Sequence, residues 1–202
     1  MHISEGVLSI PVLASGGALA IVGTYIGLKK MDYDQLPKAG ILAASFFVAS
    51  LIYVPVGVVS IHLVLNGLCG IMLGWGSFPI ILVALILQAV FFQFGGLTTL
   101  GVNTIIMALP AVIVYYLSRS FVSHHTGRKI VVPFLTGFCA VLLSAILMAG
   151  SLFLTGEAFF EIAGVVIVAN FPVMFIEGVI TFFCVSFLKK VYPALLFDLR
   201  PK

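Results

Sequence analysis

The chain has 202 residues, of which 62% are hydrophobic and 8% are charged, with a formal net charge of +3. So few charged residues cannot cover the surface of a soluble domain, and no basic stripe suited to nucleic acid is present. The apolar runs also lack the alternation of a membrane β-barrel. We therefore predict an all-α integral membrane protein, because helices satisfy their own backbone hydrogen bonds within lipid.

Seven apolar segments are long enough to cross a bilayer, and we expect no additional soluble domain. We predict a single bundle over residues 1–202, with a tail at residues 1–8. The segments cover approximately residues 9–28, 39–58, 60–76, 78–94, 102–118, 130–154 and 163–188. The third and fourth are short for a hydrocarbon core of about 30 Å, whereas the last two are long enough to tilt.

All ten Lys and Arg residues fall on one side of this seven-segment arrangement. They are Lys29, Lys30, Lys38, Arg119, Arg128, Lys129, Lys189, Lys190, Arg200 and Lys202. The opposite side carries Glu5, Glu157 and Glu161. Because basic residues stay on the cytoplasmic side, we predict an outer N-terminus and a cytoplasmic C-terminus in a multi-pass protein of the cell membrane.

The chain begins with MHISEG, which brings a free amine, the second amide nitrogen and the imidazole of His2 together within two residues. A divalent metal can bind all three in fused five- and six-membered rings, a planar nitrogen set that suits Ni(II) or Cu(II) and also cobalt. Residues 1–9 lack the basic residues of a signal peptide, and a large second residue disfavours methionine removal. We therefore expect Met1 to be the mature terminus. The alternative is that His2 is an incidental tail residue.

A fourth nitrogen donor is available at the outer end of the third segment, where His62 lies in SIHLVLNGLCGIMLGW. An ionisable side chain within a membrane segment indicates a functional site. Ser60 lies two residues before His62, and Asn66 lies four residues after it on the same helical face. Either side chain can then fix the imidazole tautomer as an outer partner. A His that bonds a carbonyl in the packed bundle is the alternative.

Glycines and polar residues interrupt the apolar pattern in QFGGLTTLGVN. Gly95, Gly96 and Gly101 allow a close backbone approach or a sharp turn. We predict a loop that folds over the outer cavity and brings Asn103 near the metal. The alternative is an ordinary connection in which Asn and Thr side chains cap a helix.

Sequence motifs for catalysis are absent. There is no phosphate-binding G-x-x-x-x-G-K-[ST], no HExxH and no pair of intramembrane Asp residues. We therefore expect neither enzymatic activity nor a bound organic cofactor. Glu177 is the one acid inside a predicted segment, and we expect it to be a structural hydrogen-bonding group. Cys69, Cys139 and Cys184 are isolated in apolar runs, which predicts buried thiols rather than a disulfide or a zinc site.

Three stretches in this order resemble the substrate-binding S subunit of energy-coupling-factor nickel/cobalt transporters, the CbiM/NikM family. They are MHISEG, SIHLVLNGLCGIMLGW and QFGGLTTLGVNTIIMALPA. The resemblance implies metal ligands at Met1, His2 and His62, with Asn103 of the family's LGxN motif as a further candidate. Ser4 departs from the family's HIPEG form, which loosens the tail but removes no ligand.

The function that this resemblance implies is the S component of an ATP-driven importer, which captures Ni(II) or Co(II) outside the cell as its substrate. It also implies partners in a prokaryotic membrane: a transmembrane coupling (T) subunit, ATPase subunits and a small accessory membrane subunit. The alternative is an S component for an organic nutrient such as a vitamin. Such a protein would have an aromatic-lined outer cavity and would be indifferent to the terminal amine.

Overall fold

The computed structural model describes residues 1–56, 59–122, 131–192 and 196, with the backbone alone for residues 54–56, 59–60 and 119–122. Most of this described chain is helical, which confirms the all-α class. The helices are α1 (Ile10–Lys30), α2 (Leu36–Ala49), α3 (Asn66–Leu73), α4 (Ser77–Phe92), α5 (Leu100–Val122), α6 (Val131–Phe153), α7 (Phe160–Ala169) and α8 (Phe171–Val191). Single 3₁₀ turns lie at Tyr33–Gln35, Gly74–Gly76 and Glu157–Phe159.

Proline explains where three of these helices begin. Pro11, Pro37 and Pro172 each lie in the first turn of α1, α2 and α8. The N–H groups in the first turn of a helix have no acceptor within the helix, so the N–H that proline lacks is not missed there. The backbone angle φ that the proline ring fixes is also the helical one.

A small antiparallel sheet joins the N-terminal tail to the middle of the chain. Its strands are β1 (His2–Ile3), β2 (Tyr53–Val56) and β3 (Val59–His62), and their order is β1-β3-β2. The register pairs His2 with Ser60 and Tyr53 with His62. Strand β2 lies at an edge of the sheet, where Pro55 is tolerated because one side of the strand needs no ladder hydrogen bonds.

The sheet corrects the predicted second and third membrane segments. The helix expected over residues 39–58 ends at Ala49, and the segment expected over residues 60–76 is helical only from Asn66 to Leu73. Between them the chain is rich in valine and contains a proline, which favours extended backbone over helix. Hydropathy recognised the apolar run but does not distinguish a buried strand from a membrane helix.

The predicted seventh segment, residues 163–188, is two helices rather than one. Helix α7 ends at Ala169, and α8 begins after Asn170. Pro172 has no N–H to continue the hydrogen bonds of α7, so the helix must break near this point. The buried amide of Asn170 donates to the carbonyl of Val166 at 2.7 Å and stabilises the end of α7.

Five helical stretches of the described residues, rather than seven, are long and apolar enough to cross a membrane. They are Ile10–Lys30, Asn66–Phe92, Leu100–Ser118, Val131–Phe153 and Glu157–Val191. Helix α2 has 14 residues, a length of roughly 21 Å that falls short of the hydrocarbon core. The number of crossings and the orientation of the termini stay predictions. Four of the basic residues behind that orientation, Arg128, Lys129, Arg200 and Lys202, lie outside the described residues.

Glycine allows the central helices to approach one another closely. A Cβ atom added to Gly67 of α3 would lie 2.7 Å from the Cα atom of Gly137 in α6. A Cβ atom added to Gly137 would lie 2.5 Å from the carbonyl oxygen of Glu177 in α8. Helix α6 is thus packed backbone to backbone against two neighbours, as small residues permit in membrane helices.

We predict that Gly137→Ala destabilises the protein by about 1–3 kcal/mol, because the added methyl group forces α6 and α8 apart. Gly150→Ala is the matched control on the same helix, since an added Cβ atom there meets nothing within 4 Å. The measurement is thermal unfolding of the purified proteins in detergent. Equal melting temperatures for the two variants would contradict the close packing at Gly137.

Candidate metal site

The N-terminus of the chain is buried inside the protein. Met1 and Ile3 have no exposed surface, and His2 is 2% exposed. Pairing of β1 with β3 satisfies part of the tail backbone. Asn103 of α5 also binds the tail with both ends of its side-chain amide: it accepts from the Ile3 N–H at 3.0 Å and donates to the Ile3 carbonyl at 3.2 Å.

The loop between α4 and α5 closes over the tail from the other side. The Glu5 N–H donates to the carbonyl of Gly95 at 3.0 Å, and the Glu5 carboxylate accepts from the N–H and hydroxyl of Thr98 at 3.0 and 3.2 Å. The bond from the Thr98 N–H lowers the pKa of Glu5. Gly95 has φ +74°, and a Cβ atom there would lie 2.8 Å from the Asn103 amide nitrogen. Glycine is therefore required both for the turn and for the space.

The sheet register brings the two imidazoles together. His2 pairs with Ser60, and strand residues two positions apart share a face, so His62 is a diagonal neighbour of His2. The Nδ1 atom of His2 lies 2.9 Å from the Nε2 atom of His62, and the ring centroids are 4.5 Å apart. His62 is 2% exposed, so both rings are shielded from water.

The backbone fixes the tautomer of His62. Its Nδ1 atom lies 2.7 Å from the Leu63 carbonyl oxygen, which can only accept a hydrogen bond. Nδ1 therefore carries the ring proton, and a neutral ring leaves a lone pair on Nε2. This lone pair points toward His2, which is the arrangement that a metal-binding imidazole requires.

Burial favours the uncharged forms of all three nitrogen bases. It lowers the pKa of the Met1 amine well below its ordinary value of 8.0, although the negative charge of Glu177 opposes the shift. Burial likewise lowers the pKa of both imidazoles well below 6.5, and repulsion from the terminal amine acts in the same direction. The unprotonated forms are the ones that bind metals, because each then has a free lone pair.

Glu177 holds the connector that follows His62. One carboxylate oxygen accepts from the N–H groups of Val64 and of Leu65, the latter at 2.8 Å. Leu65 has φ 53°, a left-handed conformation that is uncommon for a branched residue and needs such support. Glu177 is fully buried and therefore fixes the step from β3 into α3.

The structure places the other predicted residues differently. Asn66 begins α3 and contacts the hydroxyl of Ser144 at 2.8 Å and the carbonyl of Met107 at 3.3 Å, not His62. Because His62 is on a strand, the shared helix face that we expected does not exist. Asn103 is committed to the backbone of Ile3 and to Thr99. The side chain of Ser60 lies outside the described residues.

Sequence reasoning missed two neighbours of His2. The Gln88 carbonyl oxygen lies 2.7 Å from His2 Nε2, and the ring of Phe94 lies 5.9 Å from the His2 ring. Gln88 is the one amide within the apolar run of α4, and that isolation was the signal available in the sequence. No sequence pattern marked Phe94.

No group of three or more His, Cys, Asp or Glu side chains that could hold a metal occurs in the part of the chain that the structure describes. Among the described residues, the nitrogens left to complete a four-nitrogen set with the two imidazoles belong to the main chain. The Met1 amine and the His2 amide nitrogen are the nearest along the chain, since both belong to the residues that carry or precede the first imidazole.

Comparison with known proteins agrees with a metal transport fold. The profile of the CbiM family, described as "Cobalt uptake substrate-specific transmembrane region", matches residues 2–195. A Haemophilus influenzae protein provisionally named for metal transport is 40% identical, and the match covers 97% of both chains. The cobalt transport protein CbiM of Sorangium cellulosum is 30% identical, over 97% of this chain and 94% of that protein.

A fused relative and a solved structure extend the comparison. The fused nickel transport protein NikMN of Rhodobacter capsulatus is 30% identical, over 85% of this chain but 52% of that protein. A crystal structure of a transition metal transporter superposes with a TM-score of 0.83 at 25% identity, and the match covers all of both chains. Other matched relatives are archaeal as well as bacterial. These matches confirm the resemblance and the multi-pass membrane location that the sequence predicted. The chain belongs to the CbiM family of substrate-specific transmembrane components of cobalt uptake.

Proposed function

We propose that this chain captures Ni(II) or Co(II) at the outer face of a prokaryotic cell membrane and presents it for import. The ion is the transported substrate, and four nitrogens bind it: the Met1 amine, the His2 amide nitrogen, His2 Nδ1 and His62 Nε2. The tail, residues 1–8, is part of the site within a single domain. The chain needs no organic cofactor and catalyses no reaction.

The distance between the two imidazole nitrogens carries this proposal. For metal–nitrogen bonds of about 2.0–2.1 Å, two ligands at a right angle lie roughly 2.8–3.0 Å apart. His2 Nδ1 and His62 Nε2 are separated by 2.9 Å. The rings are therefore spaced for adjacent positions around one ion, and the chelate from Met1 and His2 supplies the remaining positions of a plane. Planar nitrogen coordination suits Ni(II).

Import requires an energy source that this chain lacks. Its sequence contains no phosphate-binding loop of the Walker type. In the proposed complex, ATPase subunits supply the energy. A coupling (T) subunit and a small accessory membrane subunit complete the assembly. The fused nickel transport protein NikMN, of which this chain matches 52%, supports a role beside additional components. Ala14, Ala18, Gly40 and Ala44 lie on exposed faces of α1 and α2, where close helix contacts are possible.

The buried site disfavours the alternative of an organic nutrient. A vitamin-sized ligand needs a cavity of roughly 300 Å³ or more. Around His2 the polar atoms contact one another directly, and Met1, His2 and His62 are at most 2% exposed. The spacing matches a single ion and not a larger molecule.

We predict that one or two residues added ahead of Met1 abolish high-affinity binding of Ni(II) and Co(II), although every native side chain remains. Loss of an outer partner weakens metal sites about 10–100-fold, so loss of the amine should exceed about 100-fold. Competition with a coloured chelator measures the dissociation constant, and mass spectrometry verifies the terminus. The same residues added at the C-terminus are the control. Unchanged affinity in the extended variant would remove the amine from the proposal.

We predict that the metal-free protein loses stability as the pH falls from 8 to 6. The folded state keeps the amine and both imidazoles neutral, whereas the unfolded chain takes up protons below pH 8.0 and 6.5, respectively. Between its folded and its unfolded pKa, each group lowers the free energy of unfolding by about 1.4 kcal/mol for each pH unit of acidification. Melting temperatures across this range test the sign. His62→Gln should flatten the dependence below pH 6.5, and a melting temperature that rises toward pH 6 would contradict the assignment.

A further inference from the structure

We propose that Gln88, held by Ser50, is a positioning residue that fixes the His2 tautomer, so that His2 Nδ1 presents its lone pair to the metal. This inference rests on the proposed function for the identity of the bound ion. The tautomer itself is a property of the metal-free protein and is tested separately. Neither Gln88 nor Ser50 supplies one of the four nitrogens that we propose as metal ligands.

We call the chain of hydrogen bonds that runs through Ser50 and Gln88 to His2 the relay. The direction in which each bond donates is set by a backbone carbonyl at its start. The Ser50 hydroxyl lies 2.7 Å from the carbonyl oxygen of Phe47 and donates its single proton there. Toward Gln88 the hydroxyl can then only accept, so the Gln88 amide nitrogen donates to it at 2.6 Å. This bond turns the other end of the amide, its carbonyl oxygen, toward His2.

The amide oxygen of Gln88 then selects the proton position on His2. It lies 2.7 Å from His2 Nε2 and can only accept, so Nε2 must carry the ring proton. In a neutral imidazole the lone pair is left on Nδ1. The opposite tautomer would place two lone pairs against each other at a separation of 2.7 Å. Ser50 and Gln88 are both fully buried.

Two separate hydrogen bonds therefore aim two lone pairs at one point. The Leu63 carbonyl holds His62 with its lone pair on Nε2, and Gln88 holds His2 with its lone pair on Nδ1. These two nitrogens are 2.9 Å apart. Facing lone pairs repel each other and are stabilised by a cation placed between them. The relay thus prepares a site that favours a bound ion over a direct bond between the rings.

Substitutions at Gln88 separate this role from packing. Gln88→Met keeps the length of the side chain but removes the acceptor, and we expect Ni(II) affinity to fall about 10–100-fold. Gln88→Glu retains an acceptor oxygen facing His2 Nε2, and we expect affinity within about threefold of the native protein. Gln93→Met makes the same chemical change at an exposed position after α4 and should leave affinity unchanged.

The tautomer can be read directly from the metal-free protein. The chain has four histidines, so ¹⁵N-histidine labelling gives few signals, and His2→Ala assigns those of His2. We expect a protonated Nε2 and an unprotonated Nδ1 on His2 in the native protein. Ser50→Ala frees the Gln88 amide to rotate, and the His2 signals should then shift toward a mixture of tautomers.

Each outcome has a distinct meaning. A native His2 ring with its proton on Nδ1, or a Gln88→Met variant that binds Ni(II) as tightly as the native protein, would overturn the relay. If Gln88→Met does not fold, the native spectrum and Ser50→Ala still decide between the two tautomers. Failure of the native protein to bind Ni(II) or Co(II) would instead overturn the proposed function, while the His2 spectrum would still test the relay.

Discussion

Burial of the chain's own N-terminus is the constraint on which this architecture depends. A primary amine and two imidazoles leave water together, which is costly for their charged forms and acceptable for their neutral forms. The backbone that carries them also needs partners, because unpaired N–H and C=O groups are expensive to bury. Strand β3, Asn103 and the Gly95 carbonyl provide those partners. The apolar bundle around the tail keeps the nitrogens neutral, and neutral nitrogens are what a transition metal requires.

The sheet explains how a membrane bundle can hold such a tail. A helix at the position of β3 would satisfy its own backbone and leave none of it for β1. An extended strand instead offers hydrogen-bonding groups to residues 2–3 and places His62 on the face of His2. This arrangement shortens α2 to 14 residues, less than a bilayer requires. Pairing with the tail thus lies where the regular helical pattern is interrupted.

The sequence predicted which residues gather around His2 and His62 better than it predicted the secondary structure that holds them. An N-terminal histidine, a second histidine and a glycine-rich loop before Asn103 were each visible as departures from an apolar background. The structure brings these residues together, while the ligand roles stay predictions. The strands at residues 53–56 and 59–62 were not predicted, because hydropathy alone cannot separate a valine-rich strand from a helix. Asn66 was misassigned for the same reason, since its expected contact with His62 depended on helical spacing. The contact of Gln88 with His2 could not be predicted from the sequence, because it depends on how α4 packs against the tail.

The candidate site offers nitrogen atoms rather than oxygen atoms as ligands. Mg²⁺, Ca²⁺ and Mn²⁺ prefer carboxylate and carbonyl ligands, whereas Ni(II) and Co(II) accept imidazole and amine. The buried carboxylate of Glu177 is within electrostatic range of the Met1 amine, yet it binds the N–H groups of Val64 and Leu65. Its bonded oxygen is therefore committed to the backbone. The proposed nitrogen ligands would therefore discriminate by ligand chemistry against the harder cations.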